Sequence, residues 1–154
     1  MWQRIQTVFL VLAIISLIIS IFIPIWVLEE SSGKSHELYA LHYSVTEDGV
    51  KTTHYFPYSL TAILLLAAAT IAFTEIRKFK DRFLQIKLGT LNSVFLALAL
   101  GSAVYFFSQM TKTYPGGHYG LGLYLPAVAV LCNWVAIRFI RRDEKIVRDS
   151  DRLR

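Results

Sequence analysis

Four long stretches carry no charged side chain: residues 5–28, 55–74, 88–111 and 119–137. About 20 apolar residues at 1.5 Å rise each cross a hydrocarbon layer about 30 Å thick, so every stretch can span a bilayer as a helix. Apolar residues make up 55% of the chain, and the charges sit in blocks between the stretches. The sequence therefore predicts an all-α membrane protein, a four-transmembrane-helix bundle. Its spans fall at about 5–28, 55–76, 86–111 and 119–140, in one domain covering 1–154. The first stretch is too long for a signal-peptide core and no small-x-small cleavage site follows it, so it reads as a retained anchor. Pro24 and Trp26 mark its far end, where Trp suits the headgroup level. Pro57 suits a helix start, where the missing N–H costs nothing.

The basic residues orient these spans. Arg4 precedes the first span. Arg77, Lys78, Lys80, Arg82 and Lys87 join the second to the third. Arg138, Arg141, Arg142, Lys145, Arg148, Arg152 and Arg154 follow the fourth. Against these 13, the opposite side holds 3, Lys34, Lys51 and Lys112. Lysine and arginine stay on the cytoplasmic side, so both termini are predicted to be cytoplasmic. The net charge of +5 is this bias, and no nucleic-acid partner is expected. The tail, 141–154, interleaves acidic with basic residues and can continue the fourth span as a helix. It suits anionic lipid headgroups, at about 1 kcal/mol per basic residue near the surface, or a docked cytoplasmic partner.

The first outer loop, 29–54, holds two β-prone runs, 38–45 and 50–56, flanking Asp48-Gly49. Asp-Gly supplies the positive φ angles of a tight type I′ turn, so a small extracytoplasmic β-hairpin is expected there. With a two-residue turn Tyr43 pairs with His54, and His42 and His54 point to opposite faces; a register shift by one would put them on one face. A lone ribbon is marginal in water, so it must rest on the helix ends, against Trp26, Tyr114 or Tyr119, or on a partner. The second outer connection is a short glycine-rich turn, Tyr-Pro-Gly-Gly at 114–117.

Within the third span, Gly89, Ser93, Ala97 and Gly101 fall four residues apart. Small residues let helices approach closely in lipid, so the stripe is expected to be a packing face inside the bundle or toward a partner. Ser16 and Ser20 in the first span, and Ala68 and Ala72 in the second, repeat that spacing. The intramembrane polar residues are Asn92, Gln109 and Asn133, which could orient a lipid or small apolar ligand if they converge in the bundle. Glu75 borders Arg77 and Lys78 and reads as a flank charge. Without an embedded ionisable group the chain does not look like a pump or a proton-coupled carrier.

No Ser-His-Asp or Cys-His set and no glycine-rich phosphate cradle is evident. No catalytic residue, cofactor or metal site is predicted. Cys132 stands alone in an apolar run, so it forms no internal disulfide. An enzyme would have to draw on the outer residues His42, His54, Tyr55 and His118.

The opening Met1-Trp2-Gln3-Arg4-Ile5-Gln6-Thr7, the tail residues Arg142 to Arg148 and Asp151 to Arg154, and Pro24-Ile25-Trp26 resemble an uncharacterised four-span family of Bacteroidota-type bacteria. The resemblance covers the whole chain. It implies a multi-pass protein of the bacterial inner membrane and transfers no catalytic residue. The functional expectation is a non-catalytic subunit or scaffold that binds another protein or a second copy of itself. A lipid or apolar-ligand module is the alternative.

Overall fold

The computed structural model describes residues 3–30 and 33–152. In chain order the elements are α1 (Gln3–Phe22), β1 (Trp26–Glu29), β2 (Ser35–Leu38), β3 (Tyr43–Glu47), β4 (Val50–His54), α2 (Ser59–Arg77), α3 (Arg82–Thr113), β5 (His118–Tyr119), a 3-10 turn (Leu121–Leu123) and α4 (Leu125–Arg152). All four α-helices are long and apolar enough to cross a membrane. α1 and α3 each contact both α2 and α4, which makes a square bundle of antiparallel neighbours. Gln3, Arg152 and the connection 78–81 lie at one end, and the strands lie at the other.

Helical periodicity selects the inward faces. On α1 the buried residues Gln6, Leu10, Ala13, Leu17 and Ser20 fall three or four apart, with Ser16 beside Leu17. Much of the interior is alanine: Ala13, Ala62, Ala68, Ala72, Ala99, Ala103, Ala129 and Ala136 are all buried. Such small side chains let the helix backbones come close. The two α1 serines serve that contact. Ser16 Oγ donates to the Leu125 carbonyl at 2.7 Å and Ser20 Oγ to the Gly122 carbonyl at 2.9 Å, tying α1 to the start of α4 and to the 3-10 turn before it.

The expectation of an all-α bundle carrying one hairpin is overturned. The strands form a five-stranded antiparallel sheet in the order β4-β3-β2-β1-β5. The expected hairpin is part of it. Asp48 and Gly49 turn at φ 50° and 79°, and Tyr43 faces His54. What the sequence reading missed is β1, β2 and β5. Helix α1 stops at Phe22, short of Pro24, and the chain continues as strand β1 with Trp26 and Leu28 on its buried face. A buried strand is as apolar as a span, so hydropathy does not mark where one becomes the other. β2 (Ser-His-Glu-Leu) has little intrinsic strand preference and is held by its neighbours, pairing Leu38 with both Trp26 and Tyr43. β5 reaches β1 because its glycines leave room. A side chain on Gly117 would collide with the Trp26 indole, and one on Gly120 with the Pro24 carbonyl.

The sheet sits on the bundle as one continuous core. Trp26, Leu38, Ala40 and Tyr43 pack in the same cluster as Leu17, Ala62, Leu65, Phe106 and Met110. Tyr58 joins them, its ring centroid 5.6 Å from Tyr43 and 5.2 Å from Phe106. The Ala62 amide donates to the Ala40 carbonyl at 3.1 Å. Trp26 thus belongs to the sheet itself. Tyr114 stacks on His36 at 4.6 Å and Tyr119 on Phe107 at 4.5 Å.

Candidate functional site

The buried faces of α2 and α3 carry polar residues to the end of the bundle remote from the sheet. On α2 the inward stripe runs Ala68, Ala72, Glu75, and Glu75 is 0% exposed although Arg77 and Lys78 beside it face outward. Its reading as a solvated flank charge is therefore wrong. Three residues on from Ala72, it continues the stripe inward, and the same spacing in the sequence could have revealed it. The bundle therefore does hold a buried ionisable group.

On α3 the facing residues are Gln85, Gly89, Asn92 and Leu96, at spacings of four and three. Gly89 makes a notch opposite Glu75. A Cβ there would lie 3.1 Å from Glu75 Oε1 and 2.7 Å from Ile137 Cγ1 of α4. Gln85 Nε2 donates to the Glu75 backbone carbonyl at 3.0 Å. Asn133 Nδ2, from α4, donates to the Gly89 carbonyl at 3.1 Å and to Ser93 Oγ at 2.9 Å. Asn92 Nδ2 donates to Asn133 Oδ1 at 3.2 Å.

Two backbone carbonyls thereby fix three amides. Gln85 must turn its nitrogen to the Glu75 carbonyl, and Asn133 its nitrogen to that of Gly89. Asn133 then offers only oxygen to Asn92. Each assignment leaves an oxygen pointing elsewhere. Gln85 Oε1, Asn92 Oδ1, both carboxylate oxygens of Glu75, and Gln6 Oε1 on α1 are all buried without a hydrogen-bond partner among the described residues. Gln6 is one turn before Leu10, and Leu10 packs on Ala72, so in antiparallel helices Gln6 comes level with the last turn of α2. An unpaired buried acceptor typically costs about 1–3 kcal/mol, and a charged one more. The cluster is thus rich in hard oxygen acceptors and short of donors.

The other residues singled out from the sequence are dispersed. Gln109 is exposed, nearly five turns from Asn92 and toward the sheet end, so the three expected ligand-orienting amides do not converge. Of the stripe, Gly89 is buried, while Ser93, Ala97 and Gly101 are exposed, and a Cβ on Gly101 would meet open space. Steps of four residues drift about 40° around a helix, so the row winds from the interior onto the surface.

At the sheet end, His36 Nδ1 bonds the Tyr43 hydroxyl at 2.7 Å, and His36 Nε2 lies 3.4 Å from Glu30 Oε1. Burial, then a hydrogen bond with Tyr114, pushes the Tyr43 phenol above its ordinary range, which keeps it neutral. Burial, then the charge of Lys51, holds His42 below the usual imidazole value. His42 lies 5.7 Å from the Tyr55 ring. His54 and His118 stand on β4 and β5, the two opposite edges of the sheet. Four strand spacings of about 4.8 Å separate those edges, so the outer residues do not form one site.

The basic tail is an extension of α4. Arg82 Nη1 donates to the Asp143 carbonyl at 3.1 Å, holding the extension against the start of α3. Arg138, Arg141, Arg142, Lys145 and Arg148 are exposed along it, Arg152 closes the helix, and Arg154 lies outside the described residues. Thr90, Ser93, Trp134, Ile137, Arg138 and Arg141 line a groove of about 370 Å³ between α3 and α4, with the Arg138 guanidinium 5.6 Å from the Trp134 ring centre.

The family described as Domain of unknown function (DUF4293) matches residues 2–153, and the chain belongs to it. No curated protein matches the chain.

Proposed function

We propose that this member of the DUF4293 family is a multi-pass protein of the bacterial inner membrane that serves as a non-catalytic subunit or scaffold. The outward faces of the helices support the membrane location. Val8, Leu12, Ile15 and Ile19 on α1, Ile63, Leu66 and Phe73 on α2, Leu91, Val94 and Leu98 on α3, and Val128 and Leu131 on α4 are all exposed large apolar side chains. So extensive an apolar surface suits lipid rather than water. The basic residues gather at the end holding both helical termini, which by the positive-inside rule is the cytoplasmic end. There Arg138 and Arg141 meet anionic headgroups, and the sheet stands on the opposite side.

The observation that carries the subunit reading is the free edge of β4. This strand pairs with β3 alone. Glu47 and Val50 close the two-residue turn as a hydrogen-bonded pair, so by alternation Lys51 and Thr53 direct their backbone N–H and C=O away from β3. Val50 at 68% and Phe56 at 88% exposure flank the row. An uncovered edge bordered by apolar side chains is a template for an added strand.

A photocrosslinking amino acid at Lys51 or Thr53, in intact cells, tests this. One defined adduct is expected at those positions and none at Lys112. Thr53→Pro, which removes an outward N–H, should abolish the Lys51 adduct. If neither edge position crosslinks and the protein runs at its own mass in mild detergent, the subunit reading fails.

A further inference from the structure

We infer that the notch at Gly89 is a binding site for one small monovalent cation of the sodium class, held by the Glu75 carboxylate with the side-chain oxygens of Gln85 and Asn92. The geometry comes from α3. Gln85 lies four residues before Gly89 and Asn92 three after, so both stand on the face that Gly89 leaves bare, one turn to either side. Glu75 Oε1 borders that space at 3.1 Å, and Ile137 of α4 closes its other side at 2.7 Å. All three polar residues are essentially fully buried, and each keeps an oxygen unpartnered. Gln85 and Asn92 cannot rotate to offer nitrogen without breaking the bonds to the Glu75 carbonyl and to Asn133. While Glu75 is ionised these oxygens cannot satisfy one another, and its buried negative charge calls for a positive partner.

Among the described residues the chain supplies no such charge. Arg77 and Lys78 on and after α2 are exposed. On α3, Arg82 is bonded to the Asp143 carbonyl and Lys87 lies over the Phe83 ring. On α4, Arg138 lies over Trp134 at the surface and Arg141 is exposed. Carboxylate and amide oxygens are hard ligands, which select alkali and alkaline-earth ions over softer metals. The single carboxylate sets the valence. One negative charge neutralises a monovalent ion, whereas a divalent ion would leave a net charge buried among Leu10, Ala72, Ala136 and Ile137. Gln6 Oε1, level with Glu75 on α1, is available as a further ligand. Glu75 lies two residues from the end of α2, so the ion has only a short path in from the cytoplasmic end.

The test uses the full chain purified in mild detergent. Thermal unfolding is followed in NaCl, LiCl, KCl and choline chloride at equal ionic strength and fixed pH. An ion that binds only the folded state raises Tm in proportion to the logarithm of its concentration above Kd. Sodium or lithium is expected to raise Tm over choline with that logarithmic dependence, and Glu75→Gln to remove the effect. Radioactive sodium should bind wild type at one ion per chain. If Glu75→Gln does not fold, Glu75→Asp, which withdraws the carboxylate, should weaken sodium binding about tenfold or more. Equal Tm in all four salts overturns the site. So does a sodium effect of the same size in Glu75→Gln, or a Tm that follows pH alone, which would mean that a proton fills the notch.

Discussion

Glu75 Oε1 lies 3.1 Å from the point where a side chain on Gly89 would begin. The glycine is therefore a spatial requirement at this position, imposed by a carboxylate from the neighbouring helix and by Ile137 at 2.7 Å from the same point. Gly89→Ala should overpack the interior and destabilise the protein by about 1–3 kcal/mol. Gly101→Ala is the control on the same helix, because its Cβ would enter open space and alanine is the better helix former. Thermal or denaturant unfolding of the two variants in detergent should place Gly89→Ala well below wild type and Gly101→Ala at or above it.

The Asn92–Asn133 pair leads to a second expectation. Asn133 makes three contacts across the α3–α4 interface: to Asn92, to the Gly89 carbonyl and to Ser93. Interhelical hydrogen bonds in membrane bundles average about 0.6 kcal/mol each, so Asn133→Leu should lose about 1–2 kcal/mol. A double-mutant cycle with Asn92→Leu should return a coupling close to one such bond. Gln109→Leu, at an exposed position, should be neutral. If Gln109→Leu proves as damaging as Asn133→Leu, the amides are arranged differently.

Much of the bundle can be read from the charge-free stretches, because about 20 apolar residues have few other uses. The hairpin was equally legible, since Asp48-Gly49 encodes its own turn. The remaining strands were not. Trp26, Val27 and Leu28 are apolar for a strand's reasons but extend the helical run, and Ser35 to Leu38 acquire strand geometry only from their partners. At the polar cluster, Asn92 and Asn133 stood out as polar residues within apolar runs. Glu75 was hidden by its neighbours. Beside Arg77 and Lys78 it looks like part of a solvated rim, and only its phase relative to Ala68 and Ala72 distinguishes the buried face from the exposed one.

The sheet should respond to pH at both extremes. His42 is held below its ordinary value by burial, so it favours the fold when neutral. That stabilisation is complete above the unfolded imidazole value, about 6.5, and is lost as the pH falls through the lower folded value. Tyr43 is raised, so its contribution is complete below the unfolded phenol value, about 10, and is lost as the pH rises through the higher folded value. Hydrogen exchange of the β3 and β4 amides should show greatest protection between these limits. His42→Gln should flatten the acid side alone, and Tyr43→Phe the alkaline side alone. If both variants keep the wild-type profile, other groups govern the sheet.

The proposed orientation rests on where the charges and the sheet stand. Gly49 occupies the tip of the β3–β4 turn, and Lys80 lies in the exposed connection between α2 and α3, at the opposite end of the bundle. With Cys132 replaced by Ser, each can carry the sole cysteine. A membrane-impermeant maleimide added to intact spheroplasts should label Gly49→Cys and leave Lys80→Cys untouched until the membrane is opened. A cysteine is better tolerated at Lys80 than at Gly49, whose φ of 79° favours glycine, so Val50→Cys, exposed at the start of β4, serves as the second outer probe. Labelling of Lys80→Cys from outside would reverse the topology. It would put the β4 edge in the cytoplasm and open the Glu75 notch to the exterior, and both proposed roles would have to be reassigned to the opposite compartments.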